Sequence, residues 1–232
     1  MKSWENQIII KDFQWYYNNG YITSRDGNAC YVSGDGFVVT ASGAKKNDME
    51  EDDFIFVSSD GISARSDKKV SIETGAHIAA LKSSGKKASV HVHSPNTVAL
   101  AALFEEKSER RFGPNTTNLV DMLNSNWPEL FRHTRVGSVV RFLDPGSKML
   151  HGSIEASLGY WEDEIIGTED ADNLELINVK KFNDIVIMQR HGVLATGNNV
   201  DECMEHIVRT EHVCSILLKI VTASGGKLEA IL

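Results

Sequence analysis

Two histidines stand two residues apart in Ser89-Val90-His91-Val92-His93-Ser94. The valines between them mark a strand. Strand side chains alternate, so both imidazoles share one face, roughly 6–7 Å apart. Rings placed this way can each reach a metal ion at about 2.0–2.1 Å. The same pair would also suit the wet face of an edge strand. A catalytic metal takes about three protein ligands and keeps one position open. His191 is the strongest third candidate, since it follows an apolar run and precedes Gly192 at a strand end. Strand ends are where sites lie in α/β sheets. Glu73 stands near the start of the helix predicted before the histidine strand. Its carboxylate could ligate, act as a base beside the metal, or simply complement the helix dipole. His151 is a reserve ligand, and His77, His133, His206 and His212 read as structural or surface residues.

The elements that must position these groups alternate between helical and strand patterns, which predicts a single α/β layered domain over residues 1–232. Ile8, Ile9, Phe13 and Tyr16 predict a helix over 4–18 that stops at Asn18-Asn19-Gly20. Residues 30–32 and 37–40 flank Gly34-Asp35-Gly36, a hairpin signal, and 54–57 and 62–64 flank Ser59-Asp60-Gly61, a second one. A helix over 72–83 and a strand over 88–93 follow, and Pro95 suits the first turn of the next helix. Pro114 and Pro128 break up 107–135. A strand is expected at 137–143, a turn at Asp144-Pro145-Gly146-Ser147 before a helix, and a buried strand at 184–189. Asn199 or Asp201 caps a last helix whose apolar stripe runs from Val200 to Val221, and the tail after Ser224 should fray.

Lys and Arg number 24 and Asp and Glu 32, so the formal net charge is 24 − 32 = −8. That balance argues against a nucleic-acid partner, which needs a positive surface. No apolar run approaches the roughly 20 residues of a membrane span, and the start MKSWENQIII lacks the apolar core of a secretory signal. Three cysteines, Cys30, Cys203 and Cys214, form no Cys-x-x-Cys pair and point to a reducing cytoplasm. Any metal must therefore be held by nitrogen and oxygen.

Four segments now stand in order: Ser71-Ile72-Glu73, Val90-His91-Val92-His93-Ser94, Leu143-Asp144-Pro145-Gly146-Ser147 and Arg190-His191-Gly192-Val193. Together they resemble the class II aldolase/adducin family, including its fuculose-phosphate aldolase and ribulose-phosphate 4-epimerase branches. The likeness runs from Gly27-Asn28 to the last helix. It implies a three-layer fold with a mostly antiparallel central sheet flanked by helices, and a homotetramer with sites at subunit contacts. It implies that His91, His93 and His191 bind a divalent ion, usually zinc, with Mn2+ or Co2+ as substitutes. Glu73 falls at the position of the acid/base that touches the metal when no substrate is bound. Asn28, Ser42, Gly43 and Ser71 match the pocket for a substrate phosphate. Glycine amides and small hydroxyls at these positions are suited to holding such an anion.

The activity implied is cleavage or formation of a carbon–carbon bond in a sugar phosphate, giving dihydroxyacetone phosphate and an aldehyde through a metal-stabilised enediolate. Epimerase and dehydratase chemistry belong to the same family, as do non-catalytic adducin-like scaffolds. The 4-epimerase typically has Asp at the Glu73 position, the dehydratase usually lacks an acid there, and the scaffolds lack the full histidine set. Two departures concern the substrate. Ile72 replaces a second serine, and no tyrosine lies between Tyr31 and Tyr160 or after Tyr160, where the aldolase places tyrosines around its aldehyde.

Overall fold

The computed structural model describes residues 3–59, 66–108, 116–167 and 174–227. Helix α1 (Trp4–Asn18) buries Ile9, Phe13 and Tyr16, the spacing of one apolar stripe. Strands β1 (Asn28–Ser33) and β2 (Gly36–Thr40) follow. Ser33 pairs with Gly36, so Gly34-Asp35 is a two-residue loop. Of the two, Gly34 alone has positive φ, at 58°, the type II′ pattern whose twist suits a hairpin. Next come β3 (Phe54–Ser58), α2 (Thr74–Ser84), β4 (Ala88–Val92), α3 (Pro95–Ser108), α4 (Thr116–Asn126) and α5 (Pro128–Phe131). The chain continues through α6 (Lys148–Leu158), β5 (Gly159–Gly167), β6 (Leu174–Phe182), β7 (Ile185–Met188), β8 (Gly192–Gly197) and α7 (Val200–Ala223).

Six strands form one sheet in the order β3-β2-β1-β4-β8-β7, with every neighbouring pair antiparallel. Side chains of β7 and β8 divide by alternation between two cores. Ile185, Ile187, Val193 and Ala195 pack with Leu100 of α3 and Ile207 and Leu217 of α7. Val186, Met188 and Leu194 pack with Ala80 of α2 and Leu150 and Ile154 of α6. The sheet is thus the middle of three layers, as expected. Val90 and Val92 of β4 face the α3/α7 core, which leaves Ser89 and His91 facing α2. Burying each valine contributes about 1.5–3 kcal/mol. A slip of one residue would put His91 into that apolar core, so packing pins the register.

Helices α3 and α7 are tied by one carboxylate. Glu211 is buried and accepts from Asn96 N (2.8 Å), Asn96 Nδ2 (2.7 Å), Thr97 N (2.9 Å) and Thr97 Oγ1 (2.8 Å). Asn96 and Thr97 carry the first free amides of α3 after Pro95, donors that the helix cannot satisfy itself. A negative charge there also complements the helix dipole.

The structure corrects several expectations. The strand expected at 137–143 is reduced to two bridges, Val136–Ile185 and Val140–Met188, both parallel. Gly137 N donates to Ile185 O and Val140 N to Ile187 O. Three residues on one side thus span two on the other, and that mismatch breaks the ladder. The helix expected from 72 begins at Thr74, because Ile72 and Glu73 form a turn. Ribbon β5–β6, with Gly159 opposite Phe182, carried no sequence expectation. Asn199 is the α7 cap and accepts from Glu202 N, whereas Asp201 lies in the first turn. The strand expected at 62–64 and the tail beyond 227 lie outside the described residues.

Glu211→Ala should lower stability by about 3 kcal/mol, because buried donors are left unsatisfied. The urea midpoint should fall at unchanged slope. A loss under about 1 kcal/mol would show that the two helices do not depend on this carboxylate.

Candidate metal centre

His91 comes from the end of β4, between Asn28 of β1 and Leu194 of β8 in the ladders. His93 follows just beyond the strand, in line with the expected shared face, and the two ring centroids are 4.9 Å apart. His191 sits in the three-residue turn between β7 and β8, since Met188 pairs with Gly192. Arg190 in that turn has φ 55°, a left-handed conformation that costs a residue with a side chain about 1–3 kcal/mol. Gly192 allows the turn to close on β4. A Cβ there would run into Val92 O and lie 2.8 Å from His91 Cε1. The His191 ring accordingly reaches 4.8 Å from that of His91 and 5.2 Å from that of His93.

Glu73 is the N-cap residue of α2, yet its side chain makes no capping bond. It turns into the histidine cluster instead. Its Oε1 lies 3.0 Å from His191 Nε2 and 3.4 Å from His91 Nε2. Ligand atoms of Glu73, His91, His93 and His191 all lie within 4.8 Å of one another. His151, the reserve ligand, is not in this group. It packs on α2, where its ring occupies the space a Cβ at residue 75 would need.

The donor set can be tested for a cation by following protons. His91 Nδ1 donates to Val193 O at 2.7 Å. Burial holds His91 neutral, its pKa pushed down to about 3, so Nε2 carries a lone pair. That nitrogen is buried without a hydrogen-bond partner and faces a carboxylate oxygen. Two acceptors 3.4 Å apart repel unless a cation lies between them. His93 has a carboxylate behind it, with Nδ1 3.4 Å from Asp26 Oδ1, the kind of outer partner that orients a metal-binding imidazole. Burial would raise the Glu73 carboxyl, but hydrogen bonds from His191 and Asn28 hold it well below the usual range. Three nitrogens and one carboxylate oxygen are a fitting set for a divalent ion such as zinc.

Beside the cluster lies a cavity of about 150 Å³. Asn28, Ser42, Gly43 and Ser71 all line it, together with Glu73 and His93. The Asn28 amide is largely committed, because Nδ2 donates to Glu73 Oε2 at 2.6 Å and Oδ1 faces His77 Nε2. Arg25 and Lys46 also line the cavity, and sequence reading passed over both. Arg25 Nη1 donates to Gly43 O at 2.6 Å, and buried Lys46 Nζ donates to Ala44 O at 2.8 Å. Burial pushes Lys46 down to about 8. The signal available was Lys45-Lys46 directly after Ser42-Gly43-Ala44. His77, read as a bland helix residue, also belongs to this neighbourhood.

The model for the class II aldolase and adducin N-terminal domain matches residues 7–218 of the chain. Among solved structures, YgbL from Klebsiella pneumoniae superposes with a TM-score of 0.70 at 17% identity, covering 93% of this chain and 89% of that one. L-fuculose-1-phosphate aldolase from Thermus thermophilus gives 0.68 at 17%, covering 95% and 96%. At this identity the likeness shows the fold. A curated relative from Nocardia farcinica (strain IFM 10152), "Probable bifunctional methylthioribose-1-phosphate isomerase/methylthioribulose-1-phosphate dehydratase", is 38% identical over 88 residues. That match spans 37% of this chain and 16% of the relative.

Purified protein should carry about one divalent ion per chain, read by elemental analysis, and His93→Ala should lose most of it. Removing the ion with a chelator should lower Tm, since an ion bound to the native state alone stabilises it. Equal metal content in His93→Ala would remove His93 from the ligand set.

Proposed function

The chain belongs to the class II aldolase and adducin family, and from that membership we propose that it is a metal-dependent aldolase acting on a sugar phosphate. The reading is carried by one observation: the Glu73 carboxylate stands among three histidines with Oε1 turned to their centre. A divalent ion held by His91, His93 and His191, most simply zinc, with Mn2+ or Co2+ as substitutes, would supply Lewis acidity beside a substrate carbonyl. Glu73 takes a proton from the carbon next to that carbonyl in synthesis and returns it in cleavage. The products of cleavage are dihydroxyacetone phosphate and an aldehyde.

Ser42, Gly43, Ser71 and the remaining amide proton of Asn28 receive the phosphate in the adjoining cavity. Lys46 and Arg25 supply positive charge there, which suits a dianion better than a neutral sugar. A scaffold would not need the full set of three histidines and Glu73 that converges here. Ile72, beside Glu73, and Met149 are exposed large apolar side chains. The homotetramer with sites at subunit contacts is part of this reading, and in it exposed Ile72 beside Glu73 would be covered by a second copy. Cys30, Cys203 and Cys214 are free and buried, in keeping with a reducing cytoplasm. Among the described residues no helix is long and apolar enough to cross a membrane.

One observation favours a second reading. The Nocardia farcinica relative carries the name of a methylthioribulose-1-phosphate dehydratase, which would make this chain a lyase that removes water. The deciding experiment offers dihydroxyacetone phosphate with a panel of aldehydes, and separately methylthioribulose-1-phosphate, with products read by mass. An aldol adduct supports the first reading. Loss of water from the second substrate, with no adduct from the first, overturns it. Glu73→Gln should keep the ion and lower turnover by about 10²–10⁴-fold.

A further inference from the structure

Behind Glu73 runs a line of buried polar groups that the acid/base reading does not use. Asn28 Nδ2 donates to Glu73 Oε2 at 2.6 Å. Asn28 Oδ1 lies 2.5 Å from His77 Nε2, and His77 Nδ1 lies 2.6 Å from Ser89 Oγ. His77 is 1% exposed and Ser89 is fully buried, so water does not compete for these bonds. The line crosses β1, α2 and β4, three elements that meet on one face of the sheet.

The bonds have a direction. An ionised carboxylate only accepts, so Asn28 must turn its amide nitrogen to Glu73 and its oxygen to His77. That oxygen also only accepts, so His77 must hold its proton on Nε2. A neutral imidazole has one N–H. Nδ1 is therefore bare, and the Ser89 hydroxyl donates to it. One charge at Glu73 thus orders three neutral groups behind it. Burial keeps His77 neutral, its pKa pushed down to about 4.

We propose that His77, set by Ser89, is a positioning residue that acts through Asn28 to decide which Glu73 oxygen does the chemistry. Oε2 is kept occupied by Asn28. Oε1, the oxygen that faces His91 and His191, is left for proton transfer. Without a donor at His77 the Asn28 amide is free to reverse, which would set its carbonyl against the carboxylate and let Glu73 rotate. The kinetic part of this inference rests on the acid/base role proposed for Glu73, whereas the proton arrangement does not.

The test has two arms. Long-range proton–nitrogen NMR correlations of the full-length, metal-loaded protein should show His77 protonated on Nε2 and bare on Nδ1. The signal is assigned by its loss in His77→Gln. Protonation on Nδ1 overturns the proposal whether or not the protein turns over any substrate. In the kinetic arm, His77→Phe should lower kcat by about 10- to 100-fold with metal content unchanged. His77→Gln keeps an N–H for Asn28 and should recover most of kcat, which a purely structural role does not predict. Should His77→Phe fail to fold, Ser89→Ala takes its place. It removes the donor to Nδ1 without touching Asn28, and should loosen the tautomer and reduce kcat. Unchanged kcat in a folded His77→Phe or Ser89→Ala protein overturns the proposal. Wild-type protein without aldol turnover would sink the function reading alone and leave the tautomer to decide the relay.

Discussion

An imidazole nitrogen without a proton faces a carboxylate oxygen 3.4 Å away in the protein interior. In a poorly screening interior two such acceptors cannot be left to themselves. Much of the surrounding architecture serves to keep them opposed. The carbonyl of Val193 accepts a hydrogen bond from His91 Nδ1, and that bond depends on β8 lying beside β4 in the observed register. The register is held by valines and isoleucines buried on the far side of the sheet. Glu73 is kept in place from behind by Asn28, and His191 approaches because Gly192 has no side chain to block it. The site is a consequence of packing on both faces of one sheet, more than of any single loop.

Charge is organised on two scales. The chain as a whole is negative by eight, but exposed charges are screened beyond about 8 Å at physiological ionic strength. Within that range the cavity beside the candidate metal centre meets Arg25 and a buried Lys46. The local field there differs from the global one. An anionic group would meet a mildly unfavourable background and settle where Lys46 and Arg25 lie.

The convergence of the four candidate ligands was legible in the sequence, because their carriers obey strict periodicities. Val90 and Val92 alternate with Ser89 and His91, so the face assignment follows from a period of two. Asn199 caps α7 as expected, and the turn ending at Ser147 leads into the expected helix α6. Other features depend on contacts that no local pattern encodes. Residues 137–143 are apolar enough for a strand, but a mismatch of one residue against β7 leaves bridges. In β5 the strand formers Tyr160, Trp161, Ile165 and Ile166 are interrupted by Glu162, Asp163 and Glu164, which hides the ribbon. His77 looks like any helix histidine until Asn28, 49 positions away, is placed against it. Lys46 reads as a solvated lysine until its burial is known.

The order in which the ligands occur along the chain has a consequence for biosynthesis. Glu73, His91 and His93 emerge from the ribosome well before His191, which arrives with the turn between β7 and β8. A nascent chain that ends after α6 has no Val193 carbonyl, so the proton on His91 is not yet committed to Nδ1. It also has no β8 to flank β4. Such a chain offers an incomplete set of donors. Any ion held by all four groups together therefore waits for the final strand.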